Sequence, residues 1–362
     1  MNMGYEIDFL PVGEGEKSGD AIAIRFGNLH GKREEQKVIV VDGGFKESGE
    51  ELVEHIKKHY NTDTVDLVIS THPDSDHSSG LEIVLDKLKV NHLWMHKPWE
   101  HADEIDNMFV SGRVTNTSIR ENLRKSLEDV RKLETIAKRK KIPITEPFIG
   151  VSEFNEMLTV LGPTEDFYKE LLPAFSCLPE SEKDRNIFSR TLSEASDFIR
   201  KIAEDWDIET LDDEGETSAE NDSSTILLLR IDGRSLLFTA DAGQPALKNA
   251  ISLLEGADFD FSSLKFVQAP HHGSHRNIGP VILDRLVGEK QPTDTILKSS
   301  HVSVSKEENG KHPSKKVTNA FKRRGASVHA TRGVGKLHHC EAPGREDWVT
   351  ATPLPLYLEV EE

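Results

Sequence analysis

At 362 residues, with 36% hydrophobic and 30% charged content, the chain is long enough for one large core or two medium ones. No run nears the roughly 18 apolar residues of a membrane span, and a formal net charge of −18 excludes a protein that coats nucleic acid over its whole surface. The opening Met1 to Asp8 lacks a basic stretch followed by an apolar one, so the expected location is the cytoplasm.

In chain order, Ile7 to Val12, Asp20 to Phe26 and Lys37 to Val41 read as strands joined by glycine turns. A helix over Glu50 to His59 leads to a buried strand, Val65 to Ile69, a helix over Leu81 to Leu88 and a strand at Leu93 to Met95. Ser118 to Lys141 carries Leu123, Leu127, Val130 and Leu133 on one helical stripe. A strand near Phe154 to Leu161 precedes helices over Glu165 to Phe175 and Asp184 to Asp205, and the acidic tract Asp207 to Asp222 reads as a flexible surface loop. A hairpin, Thr225 to Ile231 and Ser235 to Thr239, restarts the pattern. Helices at Lys248 to Leu254, Val281 to Leu286 and Lys315 to Arg324 then alternate with strands at Leu264 to Gln268, Asp294 to Lys298 and Ser327 to Ala330.

Charge is uneven. Twelve acidic residues between Glu194 and Asp222 face only Arg200 and Lys201, whereas from Lys298 to Lys336 ten Lys or Arg face Glu307 and Glu308. A basic segment on an acidic protein is either a local contact for a polyanion or a solvated helix face. Cys177 and Cys340 give no disulfide framework and no Cys-x-x-Cys pair, and are expected to be reduced and structural.

The chemistry concentrates at the end of the Val65 to Ile69 strand, where His72, Asp74, Asp76 and His77 follow the spacing His-x-Asp-x-Asp-His. Two imidazoles and two carboxylates converging in a strand-end crevice suit two divalent ions. A helix cap would need one carboxylate, not four ligands. Asp241 follows the hairpin, and His271 and His272 follow the Leu264 to Gln268 strand, so three clusters sit at expected strand ends.

The order of these clusters resembles the metallo-β-lactamase fold. The motif set resembles in particular the metallo-β-lactamase domain of the competence protein ComEC and its stand-alone relatives. The motifs are Phe9 to Gly13 with Gly19 to Ile22, Val41 to Gly44, the His72 to His77 cluster with aspartate third, and Leu158 to Pro163. Phe238 to Asp241, His271 to Ser274, Ser299-Ser300, Lys311 to Ser314 and Thr331 to Gly333 continue it. The resemblance implies a single αββα sandwich over 1–362, with charged insertions at 97–153 and 175–220 and the basic segment 298–336 inside the fold. His72 and Asp74 would hold one metal, Asp76, His77 and His271 a second, and Asp241 would bridge. His271 is favoured over His272 because it lies nearer the strand end, and His272 joins Asp20 and Asp42 as supports behind the ligands. The family's further histidine is missing, since none stands between His101 and His271, so Asp222 or Asn221 would fill that place.

A carboxylate-rich set makes manganese a rival to zinc. The implied activity is metal-dependent hydrolysis by water activated between two ions, acting on phosphodiesters of a nucleic acid or nucleotide. Asp76 or Asp241 would accept the water's proton, and His312 would bind phosphate or protonate the leaving oxygen. Lys311, Lys315 and Lys316 would hold flanking phosphates, with Ser300 nearby. Ser274 and His275 either contact substrate or cap the next segment. An acyl hydrolase acting on a lactone, thioester or amide, and a non-enzymatic scaffold or defence-system subunit, are the competing readings. The insertions offer a surface for a protein partner or a second copy.

Overall fold

The computed structural model describes residues 2–13, 17–105, 116–176, 178, 201–306, 311–346 and 348–361. Two seven-stranded sheets face each other. The first has the order β14-β1-β2-β3-β4-β5-β6, built from β1 (Gly4–Phe9), β2 (Ala21–Gly27), β3 (Gln36–Gly43), β4 (Leu67–Ser70), β5 (Leu93–Met95), β6 (Ile144–Thr145) and β14 (Lys336–Cys340). The second has the order β13-β12-β11-β10-β9-β8-β7, built from β7 (Ser152–Glu153), β8 (Leu158–Gly162), β9 (Ile226–Ile231), β10 (Arg234–Phe238), β11 (Leu264–Val267), β12 (Lys298–Val302) and β13 (Ala326–Ala330). Helices α1 (Lys46–His59), α2 (Leu81–Lys87), α3 (Asn116–Ser126) and α4 (Glu128–Lys140) pack on the first sheet. On the second lie α6 (Gln244–Gly256), α7 (Pro280–Leu286) and α8 (Lys315–Arg323), while α5 (Glu165–Leu171) leans toward the first sheet's core. This is an αββα sandwich.

Strand alternation builds it. In β1, Tyr5, Ile7 and Phe9 join Ile24, Val41, Leu227 and Phe266 between the sheets, which turns Glu6 and Asp8 toward the α1 side. Buried carboxylates need partners. Glu6 accepts from Arg25 Nε at 2.8 Å, and Asp8 takes both ends of Arg345 at 2.7 and 2.8 Å with the Tyr60 hydroxyl at 2.6 Å. Burial alone would raise the Asp8 carboxyl, but His55 and Arg345 outweigh it and hold the group well below the ordinary carboxylate range.

Several expectations change. The helix over Ser118 to Lys141 is two, broken at Leu127 with φ −97° and ψ 48°. The strand placed at Asp294 to Lys298 starts where that span ends, at Lys298, and runs to Val302, because Phe266 pairs with Ser299 there. The strand near Phe154 divides into β7 and β8 around left-handed Phe154, Asn155 and Glu156. Most of the Asp184 to Asp205 helix falls outside the described residues, and Lys201–Ala203 is a strand paired with Glu359–Glu361. β14 escapes the sequence reading because its central residues are histidines, not β-branched residues. Cys340 is free, and Cys177 lies outside the described residues.

The acidic tract is a surface loop, with Asp207, Asp212 to Glu214 and Glu216 exposed, but it is anchored at several points. Leu211, Glu220, Asn221 and Asp222 are buried, and Ala219–Asp222 forms a helical turn. Its charge meets the basic segment: Arg323 bonds Glu204 at 2.9 Å and the Ile208 carbonyl at 2.6 Å, and Arg324 bonds Glu209 and Asp284, both at 2.7 Å. Lys322 pairs with Asp294, and Lys298 donates to the Phe261 and Leu264 carbonyls. Four of the ten basic residues are thus structural.

The Arg323 and Glu204 side chains are both fully buried. Arg323→Ala is therefore expected to cost about 3–5 kcal/mol in urea denaturation, because it strands a buried carboxylate. Arg285→Ala, which breaks an exposed pair with Glu255, should cost less than about 1 kcal/mol.

Candidate metal centre

The ends of β3, β4, β10 and β11 deliver Asp42, His72, Asp241 and His271 to one rim of the sandwich. The backbone there is forced. Asp42, Ala240, His271, His272 and Gly273 all have positive φ (55°, 45°, 45°, 55° and 77°), a concentration of uncommon conformations typical of a site that must aim side chains. A Cβ on Gly80 would fall 2.0 Å from the Gly43 carbonyl oxygen. Glycine at this crossing lets the segment after the His72 to His77 loop lie directly on the end of β3. A Cβ on Gly273 would lie 2.7 Å from Pro313 Cβ, so the same economy brings the His312 loop against the histidine turn.

Four imidazole Nε2 atoms surround one carboxylate oxygen. Asp241 Oδ2 is 3.4 Å from His77, 3.6 Å from His271, 3.7 Å from His272 and 3.8 Å from His72. The opposite ring nitrogens decide which protons they carry. His77 Nδ1 lies 2.9 Å from Asp42 Oδ2, an acceptor only, so it donates. Thr71 Oγ1 donates to the same carboxylate at 2.6 Å and is left to accept from His72 Nδ1 at 2.9 Å. His272 Nδ1 donates to the Ser303 carbonyl at 3.1 Å, and His271 Nδ1 to Asn277 Oδ1 at 2.9 Å.

In the neutral rings, every Nε2 therefore turns a lone pair toward Asp241. Lone pairs facing a carboxylate repel unless a cation or proton lies between them. The Nε2 atoms of His72, His77 and His272 and the Oδ1 of Asp241 are buried without a partner, which is costly unless something fills the gap. The residues fit divalent cations. Burial would lower His77, but Asp241 and Asp42 raise it well above its ordinary value, a proton standing where a cation would. Burial would raise Asp241, and His77, His271 and His272 instead hold it well below the carboxylate range.

Of the sequence-predicted residues, Asp76, His77 and His272 form one grouping with ligand atoms within reach of one ion, and Asp20, His77 and Asp241 another. Asp74 Oδ2 is 3.8 Å from His72 Nε2. His272, expected behind His271, is the one buried beside Asp76, at 3.9 Å, because the left-handed turn swings it inward. His271 is more exposed, on the Asn277 side. Asp222 joins no ligand grouping among the described residues. Its Oδ1 accepts from Gly243 N at 3.1 Å, and burial pushes its pKa up to about 7. Asn221 donates to Thr217 and lies 3.4 Å from His271 Nδ1.

Asp42 supports both His77 and, through Thr71, His72. Asp20 lies 4.0 Å from His77 Nδ1 and accepts from Gln268 at 2.7 Å. The His312 ring centroid is 6.0 Å from that of His271, and burial, with His272 and His271, pushes its pKa down to about 3. It is an uncharged ring at neutral pH, not a stored acid. Ser274 Oγ accepts from Arg276 N at 3.2 Å, which closes its turn. His275 is half-buried and Lys311 exposed, while Ser300 is buried in mid-β12 with its hydroxyl unpartnered. Thr71, Gln268 and Asn277 were missed by the sequence reading. Gln268 Oε1 accepts from Thr239 N and Ala240 N while its amide holds Asp20, and Asn277 Nδ2 donates to the Asp241 carbonyl at 2.8 Å. Single amides in loops carry no spacing that announces such roles.

The αββα sandwich with a His/Asp cluster at the strand ends is the architecture of the metallo-β-lactamase fold. Residues 32–146, which carry Asp42 and the His72 to His77 loop, match the family model of the metallo-beta-lactamase superfamily. No curated protein matches the chain. Among solved structures, a metallo-beta-lactamase from Thermotoga maritima is 13% identical with a TM-score of 0.33, over 67% of this chain and 79% of that one. Metallo-beta-lactamase SMB-1 bound to 2-mercaptoethanesulfonate is 10% identical with a TM-score of 0.32, over 78% and 86%. A mutant of CmlA beta-hydroxylase is 12% identical with a TM-score of 0.42, over 93% of this chain, which spans only 54% of that protein. No described helix is long and apolar enough to cross a membrane.

Metal ions compete with protons for the imidazole nitrogens, so affinity should rise with pH and fall in acid, with protons released on binding. Calorimetry of zinc or manganese binding in buffers of different ionisation enthalpy measures this. Asp42→Ala should weaken binding about 10- to 100-fold by freeing the two imidazoles it orients.

Proposed function

We propose that the protein is a metal-dependent hydrolase that cleaves phosphodiesters in a nucleic acid or nucleotide. The observation that carries the hydrolase reading is the convergence of four Nε2 lone pairs on Asp241 Oδ2 within 3.4 to 3.8 Å. His72, Asp74 and His271 would hold one ion and Asp76, His77 and His272 the other, with Asp241 shared. His271 would then stand in for the histidine missing before Thr225, in preference to Asp222, whose Oδ1 accepts from Gly243 N. Three carboxylates in the set favour manganese as well as zinc. Divalent ions held there polarise a phosphoryl oxygen and make water acidic enough to attack at neutral pH.

The chain's own groups do the rest. Asp76, with its side chain about one-third exposed, is placed to take the attacking water's proton, whereas Asp241 is committed to the imidazoles. His312, uncharged, can orient a substrate oxygen but needs the substrate's charge before it can act as an acid. Lys311 is exposed and Lys315 partly so, and both would supply positive charge for a phosphate, whereas Lys316 is buried. Lys315 also lies 5.4 Å over the Tyr357 ring. The ComEC-like motif set supports the phosphodiester choice, and so do the basic residues of 298–336 that remain free of structural pairing. A nucleic acid would bind over few phosphates, since Lys298, Lys322, Arg323 and Arg324 are spent inside the fold.

Metal-loaded protein should hydrolyse bis(p-nitrophenyl) phosphate and at least one of single-stranded DNA, double-stranded DNA, RNA or a cyclic dinucleotide. His72→Ala and Asp241→Asn should each lower kcat by at least about a hundredfold. Turnover of a lactone or thioester with every phosphodiester left intact would replace this reading with an acyl hydrolase.

A further inference from the structure

A cavity of about 910 Å³ opens where the β1/β14 edge of one sheet meets the β12/β13 edge of the other, beside the C-terminal half of α1, and no residue of the metal cluster lines it. Its size is that of a small-molecule site. The strand wall is basic and short of counter-ions. His301 is only 3% exposed, wedged edge-on against Phe9 and Phe266 at 5.4 and 5.3 Å, and its Nδ1 is buried without a partner, as is that of the neighbouring His329. Lys336 shares this wall and has no carboxylate partner among the described residues. Asp8, the acid beside them, is already taken by Arg345 and Tyr60. Burial holds His301, His329 and Lys336 below their ordinary values, with His338, His329 and Lys336 adding to the shift at His301, so the two imidazoles favour the neutral, hydrogen-bonding form and Lys336 supplies the wall's positive charge.

The opposite wall differs. Glu51, Glu54 and Lys58 line it from α1, with no ion pair joining them among the described residues, and the two carboxylates offer acceptors. Between the two walls stands Trp348, held by the Arg345 guanidinium 4.9 Å from its ring and met edge-on by His59 at 6.0 Å. The Lys336 ammonium and two neutral imidazoles at one end, the Glu51 and Glu54 acceptors with Lys58 at the other and a partly exposed indole between them suit a molecule that is anionic at one end and donates hydrogen bonds from a flat ring at the other.

We propose that this cavity is a second ligand site, separate from the metal centre, for a nucleoside monophosphate: its phosphate against Lys336, His301 and His329, its base beside Trp348 and His59 with the exocyclic amino group toward Glu51 and Glu54. Donors arriving from three strands suit the several oxygens of a phosphate monoester better than a planar carboxylate. The assignment rests on the cavity and does not depend on the hydrolytic reading.

Calorimetry of the metal-loaded full chain with adenosine 5′-monophosphate, adenosine and inorganic phosphate tests it. The monophosphate should bind saturably and at least about tenfold tighter than either fragment. Lys336→Ala and Trp348→Ala should each weaken it about tenfold or more, with unfolding midpoints near that of the unaltered protein because both side chains are partly exposed. His72→Ala should bind as tightly as the unaltered protein. No saturable binding up to about 1 mM, binding indifferent to Lys336→Ala and Trp348→Ala, or binding lost in His72→Ala would each overturn the proposal. The last would place the nucleotide at the metal centre instead. A protein inactive on every phosphodiester leaves this binding test unchanged.

Discussion

The Asp241 carboxylate, buried among four imidazoles, is the constraint on which the rest of the site depends. A buried charge is tolerable only when its surroundings supply opposite charge at fixed positions. Each imidazole is accordingly fixed by its other nitrogen: His77 by Asp42, His72 by Thr71, His271 by Asn277 and His272 by the Ser303 carbonyl. Those braces come from both halves of the chain, so the centre exists only once the two sheets have closed on each other. The left-handed backbone at Asp42, Ala240 and His271 to Gly273 is the conformational cost of aiming these groups at one point.

The same logic runs through the outer layers. Glu6 and Asp8 are forced to the helix side of β1 by the alternation that buries Tyr5, Ile7 and Phe9, and Arg25 and Arg345 answer them. The acidic tract and the basic segment, which look like separate electrostatic features along the chain, largely satisfy each other across α8. What remains free is Lys311 and Lys315 near His312 and Lys336 on the strand wall, each beside a place where an anion could sit. Net charge therefore says little about where this protein meets an anion, and local pairing says more.

Much of the fold was legible because hydrophobic periodicity is a local property. β2 to β5, α1, α2, α6 and α8 lie within a few residues of their sequence-based positions, since alternation and helical stripes are written in neighbouring residues. β14 was not, because Lys336 to Cys340 forms a strand through pairing with β1, with Tyr5 opposite Cys340, and not through its own propensity. The anchoring of the acidic tract was missed for a related reason. Its composition is that of a solvated loop, and only Arg323 and Arg324, more than a hundred residues later, make it packable.

By itself the sequence determined that His72, Asp74, Asp76 and His77 share one strand end and that Asp241 and the His271-His272 pair end others, because ligand spacing and strand boundaries are short-range. The sandwich class came from the resemblance of its motif set to the metallo-β-lactamase fold. Only the tertiary structure decided which atoms face which. It put His272 beside Asp76, tied Asp222 to Gly243, and recruited Thr71, Gln268 and Asn277 as braces. Side-chain direction depends on backbone torsions and on partners from distant segments, and a hydrogen bond between residues two hundred positions apart leaves no mark on either one's neighbours.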